Sequence, residues 1–323
     1  MKKIIIPLKE QVEAEVIDGD WTGYFEKIQN KLNKSGSRQR SGTIVLTDSY
    51  PLNRTFNIGS HVELNGEFKA KHHIGSSCGF YATENFDGDW VLKWNKSNSR
   101  SYYSNFGAGI NQIHVQSKNG LNGVYFRGAQ QSAGIYNLIV RGFGENSIGV
   151  RLGGDTYAVR DVFSDAAVGG DDSFARAGST GFELGEKRVL SIRLENITSH
   201  NCEYGVVWGD AHQVTIENYE SELTTIPLVC TYNPRGINIR NICPRHTKNL
   251  LNLDKVRWWH NCLIKIDGQM SDNKGGLIKL PTGETFKASS TFDLVIEADK
   301  TGMNITNMRE MREFYRKSQN KNG

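Results

Sequence analysis

The sequence predicts an all-β chain coiled into a β-solenoid, and three observations carry that prediction. A Gly-apolar-x-apolar segment recurs as Gly123-Val124-Tyr125-Phe126, Gly149-Val150-Arg151-Leu152, Gly181-Phe182-Glu183-Leu184 and Gly205-Val206-Val207-Trp208, at intervals of 26, 32 and 24 residues. A second motif interleaves with it: Ile135-Tyr136-Asn137-Leu138, Val159-Arg160-Asp161-Val162, Leu194-Glu195-Asn196-Ile197, Ile216-Glu217-Asn218-Tyr219 and Ile239-Arg240-Asn241-Ile242. From Asn196 to Asn218 to Asn241 its steps are 22 and 23 residues. Composition is the third observation: of 323 residues, 34 are Gly and 28 are Asn but only 6 are Pro, which suits many tight turns at close intervals.

Each motif is too short for a helix and alternates with period two, so each is a strand. A repeat of about 23 residues holding strands and no helix is the size of one solenoid coil. Coils stack about 4.8 Å apart, so equivalent residues form ladders along the axis. Alternation places Val124, Val150, Phe182 and Val206 inside, with Phe126, Leu152, Leu184 and Trp208 in a second inner column. Tyr125, Arg151 and Glu183 point outward, and the recurring Asn marks a turn whose amide bonds to the next coil.

Three regions follow. Residues 1–40 form an N-terminal arm ending in an amphipathic helix, in which Trp21, Phe25, Ile28 and Leu32 share one face and cover the open end of the solenoid. Residues 41–300 form the solenoid, of eight to ten coils. Within it, 66–109 is the least regular stretch, and the repeat blurs beyond about 250 into Leu263-Ile264-Lys265-Ile266 and Leu294-Val295-Ile296. Residues 301–323 are a tail with a short helix over 307–317.

The helix followed by Gly42-Thr43-Ile44-Val45-Leu46, Leu52-Asn53-Arg54-Thr55-Phe56-Asn57-Ile58 and His61-Val62-Glu63-Leu64-Asn65-Gly66 resembles the opening of the pectate-lyase superfamily. The resemblance covers about residues 15–250 and implies a single-stranded right-handed parallel β-helix. That superfamily includes lyases, hydrolases, epimerases and non-catalytic phage spikes. Gly170-Asp171-Asp172-Ser173-Phe174-Ala175 looks like the Asp-Asp motif of its polygalacturonase-type members, although their Gly-His-Gly and Arg-Ile-Lys motifs are absent here.

Charge and cysteine content narrow the function. Lys and Arg total 39 against 35 acids, a formal charge of +4 with no basic block, which argues against a nucleic-acid footprint. No apolar run reaches the roughly 18 residues of a membrane span. The five cysteines include no CxxC pair, so neither a zinc site nor a disulfide framework is expected. The apolar start Ile4-Ile5-Ile6 meets Pro7, Lys9 and Glu10, too soon for a secretory leader. The expectation is a chain folded in the host cytoplasm and carried in a virion, as a phage tail-spike or fibre component that is a homotrimer. Outward Val207 and Val229 would contribute to its partner surface.

The chemistry is expected on one insertion. The 32-residue step from Gly149 to Gly181 exceeds the period by about nine, and the excess falls in 168–180. Solenoid insertions emerge as loops that often line the binding face. Asp171, Asp172 and Glu183 are the candidate catalytic carboxylates of a surface-polysaccharide lyase or hydrolase, one acting as acid and another as base or nucleophile. Their proximity should raise at least one pKa. Tyr125, Arg151 and Arg176 are the candidate substrate-binding residues. No metal or other cofactor is required, although a carboxylate pair here could hold Ca²⁺. The alternative function is a non-catalytic receptor-binding or structural virion protein. A second outward ladder of Arg160, Glu195, Glu217 and Arg240 is read as either a glycosidase pair or a surface charge ladder. His200, His212 and His260 lack metal-ligand spacing. His72-His73 supports no assignment, and Trp258-Trp259 is assigned mainly to packing.

Overall fold

In the computed structural model, residues 2–33, 42–59, 61–67, 78–94, 105–130, 133–185, 189–232, 234–256, 262–271, 275–298 and 303–309 are described. His72-His73, Trp258-Trp259, His260 and most of the expected C-terminal helix lie outside them. The fold is the expected parallel β-helix, each full coil laying one short strand on each of three faces.

The first face is built from the Gly-apolar-x-apolar strands. One inner column runs Phe56, Leu92, Val124, Val150, Phe182, Val206, Leu228, Leu251 and Ile278 in parallel register. Every member is at most 1% exposed. Apolar side chains stacked at strand spacing remove one another from water, so the sequence period becomes a continuous core. Leu184 and Trp208 lie in the second inner column, also buried.

The second and third faces are two halves of one strand, bent where the recurring Asn sits. Gln112, Asn137, Asp161, Asn196, Asn218 and Asn241 all adopt the left-handed conformation, with φ between 52° and 57°. That conformation costs most side chains about 1–2 kcal/mol and suits Asn and Asp best. The amides also bond along the axis: Asn196 Nδ2 donates to Asp161 at 2.9 Å, Asn218 to Asn196 at 2.9 Å and Asn241 to Asn218 at 2.7 Å. On the second face ten strands follow one another in parallel, from Lys2–Ile6 through Gly42–Leu46 to Cys262–Gln269. The apolar start of the chain is thus the first rung of the helix.

The ends are closed differently. Helix Trp21–Asn33 lays Phe25 against Tyr50, Phe56 and Phe80, with ring centroids 5.0–5.8 Å apart. Asp20 Oδ1 caps it by accepting from Gly23 N at 2.9 Å. At the other end, parallel stacking stops at Gly276–Lys279 and not at residue 300. Thr285–Ala288, Thr291–Ala298 and Met303–Asn307 are added antiparallel. A hairpin reverses the chain at once, so it ends the coil without another full turn. All five cysteines are free, and four are buried. Among the described residues no helix is long and apolar enough to cross a membrane.

Candidate functional site

Seen from outside, the first face carries the ladder Tyr125, Arg151 and Glu183, in the register the alternation implies. Its members are occupied with one another. Arg151 Nη2 lies 2.8 Å from Glu183 Oε2, and the Arg151 guanidinium sits over the rings of Trp90 and Tyr125 at 5.1 and 5.5 Å. Tyr125 is only 4% exposed, so it is a covered packing residue and not an open sugar platform. Glu183 is half-buried by its arginine. Val229 pairs in register with Val207 as aligned, but is itself buried, so it offers little surface to a partner.

The inserted loop begins with the turn at Val168-Gly169-Gly170-Asp171 and enters strand Arg176–Leu184. Asp171 Oδ1 accepts from the Ser173 backbone N–H and hydroxyl at 3.2 and 2.6 Å. Arg176 Nη2 lies 3.1 Å from Asp171 Oδ2 and donates to the Asp171 carbonyl at 2.6 Å. The Ser173 bonds, then the Arg176 contact, hold the Asp171 carboxyl below its ordinary pKa, opposite to the rise expected of a carboxylate cluster. Among the described residues Glu183 makes no hydrogen bond or ion pair to this loop. Its hydrogen bonds and ion pair go to Arg151 on the adjacent coil, and the chain bends between it and the loop at Gly178, where φ is +67°.

The loop meets the third face. Asn201 is fully buried; its Nδ2 donates to the Phe174 carbonyl at 2.9 Å, and its own carbonyl accepts from Arg176 N at 2.7 Å. The residue before it, His200, belongs to an outward row that sequence reading missed: Gln116, Arg141, Asp165, His200, Glu222 and Arg245, stacked coil on coil. Each stands four positions after its left-handed turn residue, from Gln112 to Asn241, and that constant offset is the signal that could have found them.

Within the row, buried Asp165 accepts from Ala167 N at 2.9 Å and lies 3.5 Å from His200 Nδ1. That separation is at the outer edge of hydrogen-bond reach, and His200 Nδ1 has no better-placed acceptor. His200 Nε2 is 3.9 Å from Glu222 Oε2, and Arg141 Nε is 3.8 Å from Asp165 Oδ2. Asp165 is the main cause of a raised His200 pKa, opposed by burial and assisted by the charges of Glu222 and Asp172. Asp172, on the inserted loop, is the last and smallest of these influences. A carboxylate–imidazole–carboxylate series is suited to moving protons near neutral pH. Beside the row, Phe174 and the turns at 223–225 and 246–249 line an open pocket of about 330 Å³.

The second outward ladder is a charge ladder. Glu195 pairs with Arg160 at 2.8 Å and lies 3.5 Å from Arg193, which also pairs with Glu217 at 3.0 Å. His212 lies on another corner, 2.8 Å from Asp210. Among the described residues no group of three or more His, Cys, Asp and Glu side chains forms a metal site.

No family model and no curated protein sequence matches the chain. Among solved structures it is similar to ORF18 of Geobacillus virus E2, with TM-score 0.40 and 8% identity over 94% of this chain and 76% of that one. It is also similar to PfbA, a surface adhesin of Streptococcus pneumoniae, with TM-score 0.32 and 10% identity over 87% and 94% of the two chains. A galactohydrolase of sulfated galactose and anhydrogalactose units gives TM-score 0.29 and 9% identity over 75% and 59%. At such scores these likenesses carry nothing about activity.

Proposed function

We propose that the protein binds a bacterial surface polysaccharide along its third face and cleaves it there, as a component of a phage tail-spike or fibre. The observation that carries the reading is the pinning of the inserted 168–180 loop beside the Asp165–His200–Glu222 row. The two bonds from Asn201 fix the loop at Phe174 and Arg176, and this anchor residue directly follows the central histidine. Asp172, His200 and Glu222 are the groups offered for proton transfer. In a hydrolase, one protonated group gives its proton to the glycosidic oxygen as the C–O bond breaks, and a carboxylate takes a proton from the attacking water. In a lyase, the base takes the proton next to the uronate carboxyl while the leaving oxygen is protonated. Asp171 with Arg176, and Arg151 with Glu183, serve as pairs that hold the loop and the first face.

The virion part of this reading rests on the sequence resemblance to pectate-lyase-type β-helices. The test is a screen of purified protein against capsular and cell-wall polysaccharides. Absorbance near 235 nm reports unsaturated lyase products, and new reducing ends report hydrolysis. Cleavage of at least one is expected. Retention without cleavage would leave the receptor-binding alternative, and neither retention nor cleavage of any would reject the glycan reading.

A further inference from the structure

Phe174 is 49% exposed at the end of the inserted loop, an unusual position for a large aromatic in a molecule that buries most of its rings. It is also held in place. Its carbonyl is bonded to Asn201, and the Arg176 guanidinium stacks over its ring at 4.2 Å, fixed in turn by Asp171. A rigid, half-exposed ring facing a pocket has little entropy to lose when a flat apolar surface lies on it.

The pocket it borders is about 330 Å³, at the lower end of the roughly 300–1,000 Å³ range of ligand sites, which suits a single sugar ring. The remainder of its wall mixes apolar Ala175 and Leu223 with polar Thr225, Asn249, His246 and Lys248, and it contains no carboxylate. Lys248 is exposed and makes no ion pair among the described residues. His246 lies beside it, its Nε2 4.0 Å from Glu222 Oε1. Leu223, which follows Glu222, completes the contact between the pocket and the catalytic row. Hydroxyls, amide, aromatic ring and unpaired cation together match a pyranose that carries a negative charge.

We propose that this pocket is the subsite for one anionic sugar ring of the glycan, with its ring face on Phe174 and its carboxylate or sulfate at Lys248 and His246. The inference rests on the reading of the third face as a glycan site and adds the substrate class. Monosaccharides test it without turnover. Saturation-transfer NMR on the intact chain would compare D-glucuronate, D-galacturonate and D-glucose 6-sulfate with the parent neutral hexoses. At least one anionic sugar is expected to bind about tenfold more tightly than its neutral parent, the usual worth of one charged hydrogen bond. Lys248→Gln should remove that preference. Phe174→Ala should abolish binding, and Phe174→Trp should restore it. Equal binding of neutral and anionic sugars, or an anionic preference that survives Lys248→Gln, would overturn the subsite while leaving the glycan reading intact. No binding of any monosaccharide, with polysaccharide still retained, would likewise overturn the subsite alone. Loss of both would reject the glycan reading itself.

Discussion

Leu184 is 1% exposed and stands between Leu152 and Trp208 in an inner column, so its truncation leaves a hole that two neighbouring coils cannot fill. Leu184→Ala should cost about 2–5 kcal/mol in chemical denaturation, as for other buried leucines. A change near zero would mean the strand register is off by one, which would exchange inner and outer faces. His200 makes a prediction of a different kind. Its folded pKa is raised above 6.5, by Asp165 first and then by Glu222 and Asp172, so the folded chain holds the proton more tightly than the unfolded one. That stabilisation is fully present below about pH 6.5 and is lost as pH rises through the folded value. Unfolding midpoints should fall across that window in the wild type and fall less in Asp165→Asn, with the His200 ring titration followed by NMR as the direct check.

At the scale of elements, the turn ladder and the inserted loop show what the sequence could and could not convey. The recurring Asn was legible as a turn because one residue type repeats at one period. Asn218 sits at φ 55° and bonds to the coils before and after it, so Asn218→Ala should cost about 2 kcal/mol, combining left-handed strain with lost hydrogen bonds. Asn218→Gly keeps the backbone conformation and should cost less than Ala; the reverse order would show that strain is not the dominant cost. The histidine row was not legible in the same way, because Arg141, Asp165, His200, Glu222 and Arg245 share a position but not a residue type. The insertion's length was visible, yet its neighbour was not. Chain order ties the loop to Glu183, whereas the bend at Gly178 turns the chain between them and Asn201, next to His200, holds the loop at Phe174.

For the whole molecule, the repeat made the coils between about Gly123 and Ile242 legible, because stacking makes each coil's environment a copy of the last. The C-terminal strands escaped because Leu294-Val295-Ile296 alternates like any strand, and alternation does not encode strand direction. Homotrimer formation is proposed, and light scattering should give about three times 36.2 kDa; a value near 36.2 kDa at micromolar concentration would reject it. The central claim is that the third face, and not the outward ladder of the first, carries the chemistry. It is tested most directly by kcat on a cleaved polysaccharide for two matched variants. Glu222→Gln should lower kcat by about 10²–10⁴, the contribution of a positioned acid or base, while Glu183→Gln, which loosens only the pair with Arg151, should leave it within about threefold. Loss of turnover in Glu183→Gln with Glu222→Gln unaffected would contradict the account.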